Sequence, residues 1–165
     1  MKNRILLLLT IVLYACSSND SIDYYNSAQE KIKEKNFTEA VNDFEKFVSE
    51  NPGNELAPNA LFEIAKIYHS ESIEGLSKEE SLSKAVIYYK RVYEEYKNSS
   101  LAEQALFVAA FIQANEINQI DSARENYELF LKQFPQSELT ESVKIELENL
   151  GLTPDEIIER AQSNK

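Results

Sequence analysis

The stretch Ala123-Arg124-Glu125-Asn126-Tyr127-Glu128-Leu129-Phe130 contains the spacing that decides the fold of this 165-residue chain. An alanine is followed four positions later by an aromatic residue, and three positions after that by an apolar residue. These positions lie along one face of an α-helix, where the alanine allows close approach beside bulky side chains. The spacing occurs three times, at Ala40-Phe44-Phe47, Ala85-Tyr89-Val92 and Ala123-Tyr127-Phe130.

A second similar segment precedes two of these units and predicts a partner helix for each. Ala60-Leu61-Phe62-Glu63-Ile64-Ala65-Lys66-Ile67-Tyr68 aligns with Ala105-Leu106-Phe107-Val108-Ala109-Ala110-Phe111-Ile112-Gln113. The composition agrees, because the chain has only three glycines and four prolines and is rich in Glu, Lys, Leu and Ala, which favour helix. We therefore expect helix pairs and almost no sheet.

These pairs resemble the tetratricopeptide repeat, a helix-turn-helix unit of about 34 residues. An insertion at residues 70–83 lengthens the second unit. The resemblance implies an all-α fold, a tetratricopeptide-type α-solenoid of about three helix pairs plus C-terminal capping helices. The positions that carry it are the small residue of each first helix, at Ala28, Ala65 and Ala110, the alanine of each second helix, at Ala40, Ala85 and Ala123, and the closing prolines Pro52 and Pro135.

Two further helices are predicted after the third unit. The first occupies residues 137–150, with Ser137 as its N-cap and Gly151 at its end. Its apolar stripe is formed by Leu139, Val143, Leu147 and Leu150. The second begins at Thr153-Pro154-Asp155, because threonine is a good N-cap and proline is favoured at the first helical position.

The start of the chain predicts a lipoprotein signal peptide. Lys2 and Arg4 precede an apolar run, and Leu13-Tyr14-Ala15-Cys16 follows it, with Cys16 the single cysteine. The ending resembles a lipobox, which implies a diacylglyceryl group on the thiol and a fatty-acyl chain such as palmitate on the freed amine. Several chains make a stable anchor. The alternative is an ordinary secretory signal with an incidental cysteine.

The predicted organisation has three parts. Residues 1–15 form the signal peptide, residues 16–22 the lipidated cysteine and a tether, and residues 23–165 the repeat domain with its capping helices. A tether this short reaches at most about 20 Å, so the domain is expected to stay close to the membrane.

The charge of the chain limits its partners. The formal net charge is −11, and it becomes −13 when cleavage removes Lys2 and Arg4. Such a surface repels nucleic acid and anionic lipid head groups. We expect protein partners in the cell envelope and a membrane contact through the lipid anchor, with no nucleic acid.

Motifs for catalysis are not found in the sequence. His69 is the single histidine and the three glycines are widely separated, so no multi-histidine metal site or glycine-rich phosphate loop is present. A lone cysteine also excludes a disulfide framework, a CxxC redox pair and a thiolate zinc cluster. We predict a protein that is not an enzyme, with no cofactor, no metal site and no small-molecule substrate.

Some aromatic residues are not explained by packing between the helices of a pair, and they predict a partner-binding groove. In the repeat register, Phe62, Phe107 and Phe111 project from the first helices, which line the concave surface of such arrays. Exposed aromatic residues in a groove mark binding sites. The alternative is that the C-terminal helix covers them. The predicted groove residues are Tyr25, Gln29, Asn59, Phe62, Lys66, His69, Gln104, Phe107 and Phe111.

Two narrower resemblances concern the function. The segments Tyr25-Asn26-Ser27-Ala28-Gln29-Glu30-Lys31-Ile32 and Asn36-Phe37-Thr38-Glu39-Ala40-Val41 resemble the opening repeat of BamD lipoproteins of the outer-membrane β-barrel assembly machine. Pro58-Asn59-Ala60 and Phe130-Leu131-Lys132-Gln133-Phe134-Pro135-Gln136-Ser137 resemble the repeat domain of YbgF proteins of the Tol-Pal system. BamD proteins generally carry five repeats, and YbgF proteins carry an N-terminal coiled coil that this sequence lacks.

The resemblances imply a scaffold for envelope or outer-membrane protein assembly. Its expected location is the periplasmic face of the outer membrane, since Ser17 after the cysteine is compatible with outer-membrane sorting. One alternative is an accessory subunit of a surface transport or secretion complex, and a less favoured alternative is an enzyme.

Overall fold

The computed structural model describes residues 18–163, which form eight α-helices and no strand. Each helix from α1 to α6 packs against the next one along the chain, so the predicted all-α solenoid of helix pairs is confirmed. Within these residues no helix is long and apolar enough to cross a membrane. The helices are α1 (Ser18–Lys33), α2 (Phe37–Glu50), α3 (Ala57–His69), α4 (Lys78–Glu95), α5 (Ala102–Asn115), α6 (Ile120–Gln133), α7 (Thr140–Asn149) and α8 (Pro154–Ser163).

The three pairs α1–α2, α3–α4 and α5–α6 have the same core. In each pair an alanine of the first helix and an alanine of the second are fully buried, and the two bulky residues that follow the second alanine are at most 2 % exposed. Small residues at the contact let the helices approach closely, and the bulky ones fill the space beside it. These positions are Ala28, Ala40, Phe44 and Phe47, then Ala65, Ala85, Tyr89 and Val92, then Ala110, Ala123, Tyr127 and Phe130.

The turn that leads from one pair to the next is also repeated. The side-chain oxygens of Asn54, Ser99 and Ser137 each accept a hydrogen bond from the backbone N–H of the leucine two residues later, at 2.9, 3.2 and 3.1 Å. The following helix begins directly after that leucine. The prediction that Ser137 is the N-cap of α7 is therefore wrong, because Leu139 holds that position and the Ser137 hydroxyl closes the preceding turn.

The turn inside each pair contains one non-glycine residue in the left-handed region. Lys35, Glu71 and Asn118 have φ values of 63°, 55° and 52°. The turn of the second pair is the longest, since residues 70–77 separate α3 from α4. It ends in a capping box, in which Ser77 and Glu80 exchange hydrogen bonds through their side chains and backbone N–H groups. The inserted residues thus lengthen this turn and the start of α4.

The two C-terminal helices differ in how firmly they pack. Val143 of α7 is fully buried against the third pair, as expected for a capping helix, and Gly151, with a φ of 83°, follows its end. Helix α8 begins at Pro154 after a capping box between Thr153 and Glu156, which confirms the predicted start. None of its residues is buried.

Helix α1 begins at Ser18, so residues 18–22 of the expected tether are helical. Cys16, the signal peptide at 1–15 and the cleavage position lie outside the described residues.

Candidate partner-binding site

The nine predicted groove residues all lie on the first helices of the three pairs. Residues 25 and 29 are on α1, residues 59, 62, 66 and 69 are on α3, and residues 104, 107 and 111 are on α5. Within each helix the spacing is three or four residues, which places them along one face. We call this set of residues the groove face.

One position of the groove face is aromatic in all three pairs, and it packs against the second helix of its own pair. The Tyr25 ring lies edge-on to Phe44 and Phe47, with centroids 5.4 and 5.3 Å apart. Phe62 lies 5.1 Å from Tyr89 in the same manner. The third member, Phe107, lies 6.3 Å from Tyr127 and 6.4 Å from Phe130. Tyr25, Phe62 and Phe107 are half-buried, so each contributes to packing and shows solvent only part of its ring.

The next turn of each first helix carries the residue that differs most between pairs. It is Gln29 in α1, Lys66 in α3 and Phe111 in α5. Gln29 is half-buried, while Lys66 is exposed and pairs with Glu63 of its own helix at 2.9 Å. Phe111 is 36 % exposed, with its ring 6.3 Å from that of Phe107. A large apolar ring that is partly exposed to solvent at this position is a candidate contact for another molecule.

His69 joins the ends of two neighbouring first helices. Its Nε2 lies 2.8 Å from Oε1 of Glu116, the residue that follows α5, and its ring meets Tyr89 edge-on at 6.3 Å. Burial, followed by the Glu63 and Glu116 carboxylates, raises the pKa of Tyr89 to about 12. The Tyr89 hydroxyl therefore stays neutral. The contact between His69 and Glu116 links the end of α3 to the end of α5.

The remaining groove residues, Asn59 and Gln104, lie near the starts of α3 and α5 and are exposed. Helix α8 does not bury the face, because it makes no extensive contact with α3 or α5. Phe111 is therefore accessible in the presence of both C-terminal helices.

The chemical groups of the groove face are polar and aromatic. Within residues 18–163 no group of three or more His, Cys, Asp or Glu side chains has the arrangement of a metal site. Its accessible groups are amides, one lysine, one histidine held by a carboxylate, and aromatic rings.

Two contacts could not be predicted from the sequence. One joins His69 to Glu116, and the other joins Asn115, one turn after Phe111, to Glu146. Asn115 donates to the Phe111 carbonyl at 3.2 Å and to Oε2 of Glu146 in α7 at 3.3 Å. Residues 115 and 146 are 31 positions apart and belong to no common pattern, so only the packing of α7 brings them together.

Comparison with protein families gives a match to part of the chain. Residues 104–137 match the model of the family described as Tetratricopeptide repeat, and these residues include most of α5, all of α6 and the turn that leads to α7. No curated protein matches the chain. Nothing in the comparisons links it to BamD or YbgF. Residues 104–137 are therefore similar to a tetratricopeptide repeat, a unit that generally serves as a non-catalytic scaffold for contacts between proteins.

Proposed function

We propose that this protein is a lipid-anchored scaffold of the bacterial cell envelope, and that it holds a segment of a protein partner against the groove face. The observation that carries the binding role is Phe111, an exposed ring on a first helix of the array. Burial of an aromatic ring is a large contribution to affinity at interfaces, where such residues often act as hot spots. The partially exposed rings of Phe62 and Phe107 extend this apolar surface along the array.

The anchoring role rests on the sequence around Cys16. Since α1 begins at Ser18, a lipid on Cys16 would be separated from the solenoid by about two residues, or roughly 7 Å of extended chain. The groove face would then be held close to the membrane, where envelope proteins pass or assemble. The location at the periplasmic face of the outer membrane, and a role in outer-membrane protein assembly, follow from the lipobox and from the resemblance to BamD and YbgF.

Anchoring is tested by replacing the lipidated residue. Cys16→Ser should abolish incorporation of an alkyne-labelled palmitate and move the protein from the membrane to the soluble fraction, while Ser17→Ala should retain both. Density-gradient separation of the two membranes then locates the unmodified protein. Continued labelling of the Cys16→Ser variant would refute lipidation at this position.

Partner binding is tested by photo-crosslinking in intact cells. A benzophenone side chain at position 111 should give a discrete adduct with an envelope protein, whereas the same group at Ile87, which is 56 % exposed on the second helix α4, should not. Equal adducts at both positions would contradict the groove assignment. The identity of the adduct separates the alternatives, because a transporter or secretion component would favour an accessory subunit over a role in barrel assembly.

A further inference from the structure

A cavity of about 430 Å³ lies where the end of α5 meets α7 and the turn into α8. Its lining includes the polar residues Asn115, Glu146, Asn149 and Thr153 and the apolar residues Ile120 and Ile157. We call this cavity the α5–α7 pocket. A concave site of this size with a few converging polar groups has the form of a ligand site.

The wall of the pocket is held by local structure. Gly151 adopts a φ of 83°, which reverses the chain after α7 at a conformation that other residues rarely take. The capping box of Thr153 and Glu156 then fixes the start of α8. Arg160 fastens α8 to α7 by donating to the backbone carbonyl of Glu148 and pairing with its carboxylate. The turn that closes the pocket is therefore constrained at three points.

The charged group of the pocket is Glu146, which is half-buried. In the described part of the chain no basic side chain forms an ion pair with it. Lys144 pairs instead with Glu141 at 3.3 Å, and Arg160 pairs with Glu148 at 3.6 Å. Oε2 of Glu146 accepts the hydrogen bond from Asn115. A half-buried carboxylate without a cation favours a positively charged ligand.

A buried hydroxyl lies near the same carboxylate. Tyr127 is fully buried, and its hydroxyl has no hydrogen-bond partner of good geometry within residues 18–163. Burial, together with the nearby Glu146 carboxylate, raises the pKa of Tyr127 above its usual range. The Tyr127 hydroxyl is thus a neutral group beside the Glu146 carboxylate.

We propose that the α5–α7 pocket binds a primary ammonium group, that of a lysine side chain in the partner segment held on the groove face. This assignment rests on the proposed function and specifies its partner. An ammonium has three donors that suit the carboxylate of Glu146 with the amide and hydroxyl oxygens of Asn149 and Thr153. A guanidinium prefers both oxygens of one carboxylate, and Asn115 already occupies one of them.

The surroundings of the pocket fit the rest of a lysine side chain. Ile120 and Ile157 offer apolar contact to its methylene stem. Phe111 lies one helical turn before Asn115, so a partner segment that covers this ring passes the mouth of the pocket. The segment would then combine an apolar residue on Phe111 with a lysine on Glu146.

The test uses the isotopically labelled full chain in detergent and nuclear magnetic resonance titration. Nα-acetyl-lysine-N-methylamide should shift the side-chain amide signals of Asn115 and Asn149 in a saturable manner, and the norleucine analogue, which lacks the ammonium, should not. Glu146→Gln should weaken the binding by about tenfold or more, because a charge-assisted hydrogen bond is lost. The matched control Glu141→Gln, an exposed position on the same helix, should leave it unchanged.

Several results would overturn the proposal. These are the absence of saturable shifts, equal shifts with norleucine, or unchanged binding to Glu146→Gln. If Glu146→Gln does not keep the wild-type melting temperature, Asn115→Ala serves as the second variant and should weaken binding as well. Binding of cadaverine without binding of the lysine amide would also overturn it, since the pocket would then take free amines.

Failure of the proposed function is distinguishable from failure of this assignment. A saturable lysine titration together with equal crosslinking at positions 111 and 87 would leave the pocket assignment standing while removing the groove as the docking surface.

Discussion

Replacement of Ala123 by leucine measures how tightly the third helix pair is packed. Ala123 is fully buried in α6, and the two bulky residues that follow it on the same face, Tyr127 and Phe130, are also fully buried. The added carbon atoms of leucine therefore have no free space and must displace neighbours. Overpacking of this kind costs about 1–3 kcal/mol. For a chain of this size each kcal/mol lowers the melting temperature by about 2–4 °C, so we expect a decrease of about 2–12 °C.

The assay is a thermal melt followed by circular dichroism at 222 nm. Arg124→Leu is the matched control, because Arg124 is the exposed neighbour in the same helix and leucine and arginine have similar helix propensities. The control should melt within a degree or two of the unmodified protein. Since Ala40 belongs to the other core cluster, the free-energy changes of Ala40→Leu and Ala123→Leu should add. A melting temperature unchanged by Ala123→Leu would refute the view that the repeated alanine marks a close helix contact.

Three further changes test individual contacts. Lys35→Gly should raise the free energy of unfolding by about 0.5–1 kcal/mol in urea titrations, because relief of the left-handed conformation exceeds the entropy that glycine adds to the unfolded chain; a decrease would show a side-chain role for Lys35. Tyr127→Phe should leave the free energy of unfolding unchanged or raise it by about 1 kcal/mol, since it removes a buried hydroxyl without a partner. A clear decrease in the melting temperature would show that the hydroxyl has a partner. Partial burial opposes ionisation of Asp43, but hydrogen bonds from Lys31 and Ser27, together with the charges of Lys31 and Lys46, outweigh it and hold the pKa of Asp43 below its usual value. Its contribution to stability is therefore present above about pH 3.9 and lost as the pH falls through the lowered pKa, so Asp43→Asn should lose less stability than the unmodified chain between pH 6 and pH 3.

The helix pairs could be predicted from the sequence because they depend on a local and repeated signal. The alanine, aromatic and apolar residues of each unit lie within eight positions of one helix, and their spacing fixes which face is buried. The start of α8 was predicted for the same reason, since Thr153, Pro154 and Glu156 act on one another within a single turn. Signals of this kind do not depend on how distant parts of the chain meet.

The start of α7 was missed because one residue type serves two local structures. A serine before a helix accepts a backbone hydrogen bond both when it caps the helix and when it closes the turn that precedes it. In the structure Ser137 accepts from Leu139, two residues on, and the helix begins one residue after Leu139. Ser99 and Asn54 do the same in the earlier turns. The recurrence of a polar residue two positions before a leucine was therefore a usable signal, and it was overlooked.

The α5–α7 pocket could not be predicted, because its residues come from several separate elements. Asn115 ends α5, Glu146 lies in α7 and Thr153 precedes α8. Their meeting depends on the packing of α7 against the third pair through Val143 and on the reversal at Gly151. No periodicity within one helix encodes such a meeting.

Six of the nine groove residues occupy two repeated positions, and the structure shows that these two positions differ in their packing. Tyr25, Phe62 and Phe107 occupy the same position of their first helices, and each packs on the bulky residues of the second helix of its pair. An aromatic ring at this position is therefore required by packing, whatever the protein binds.

The position one helical turn after the shared aromatic residue is not constrained by packing. Gln29, Lys66 and Phe111 share no property of size or charge, and the last two are exposed, so packing does not dictate their identity. Residues that the fold leaves free are those that a partner can select. The specificity of this scaffold is accordingly expected to lie in these varied positions and in the pocket beyond Phe111, while the shared aromatic position holds the pairs in the geometry that presents them.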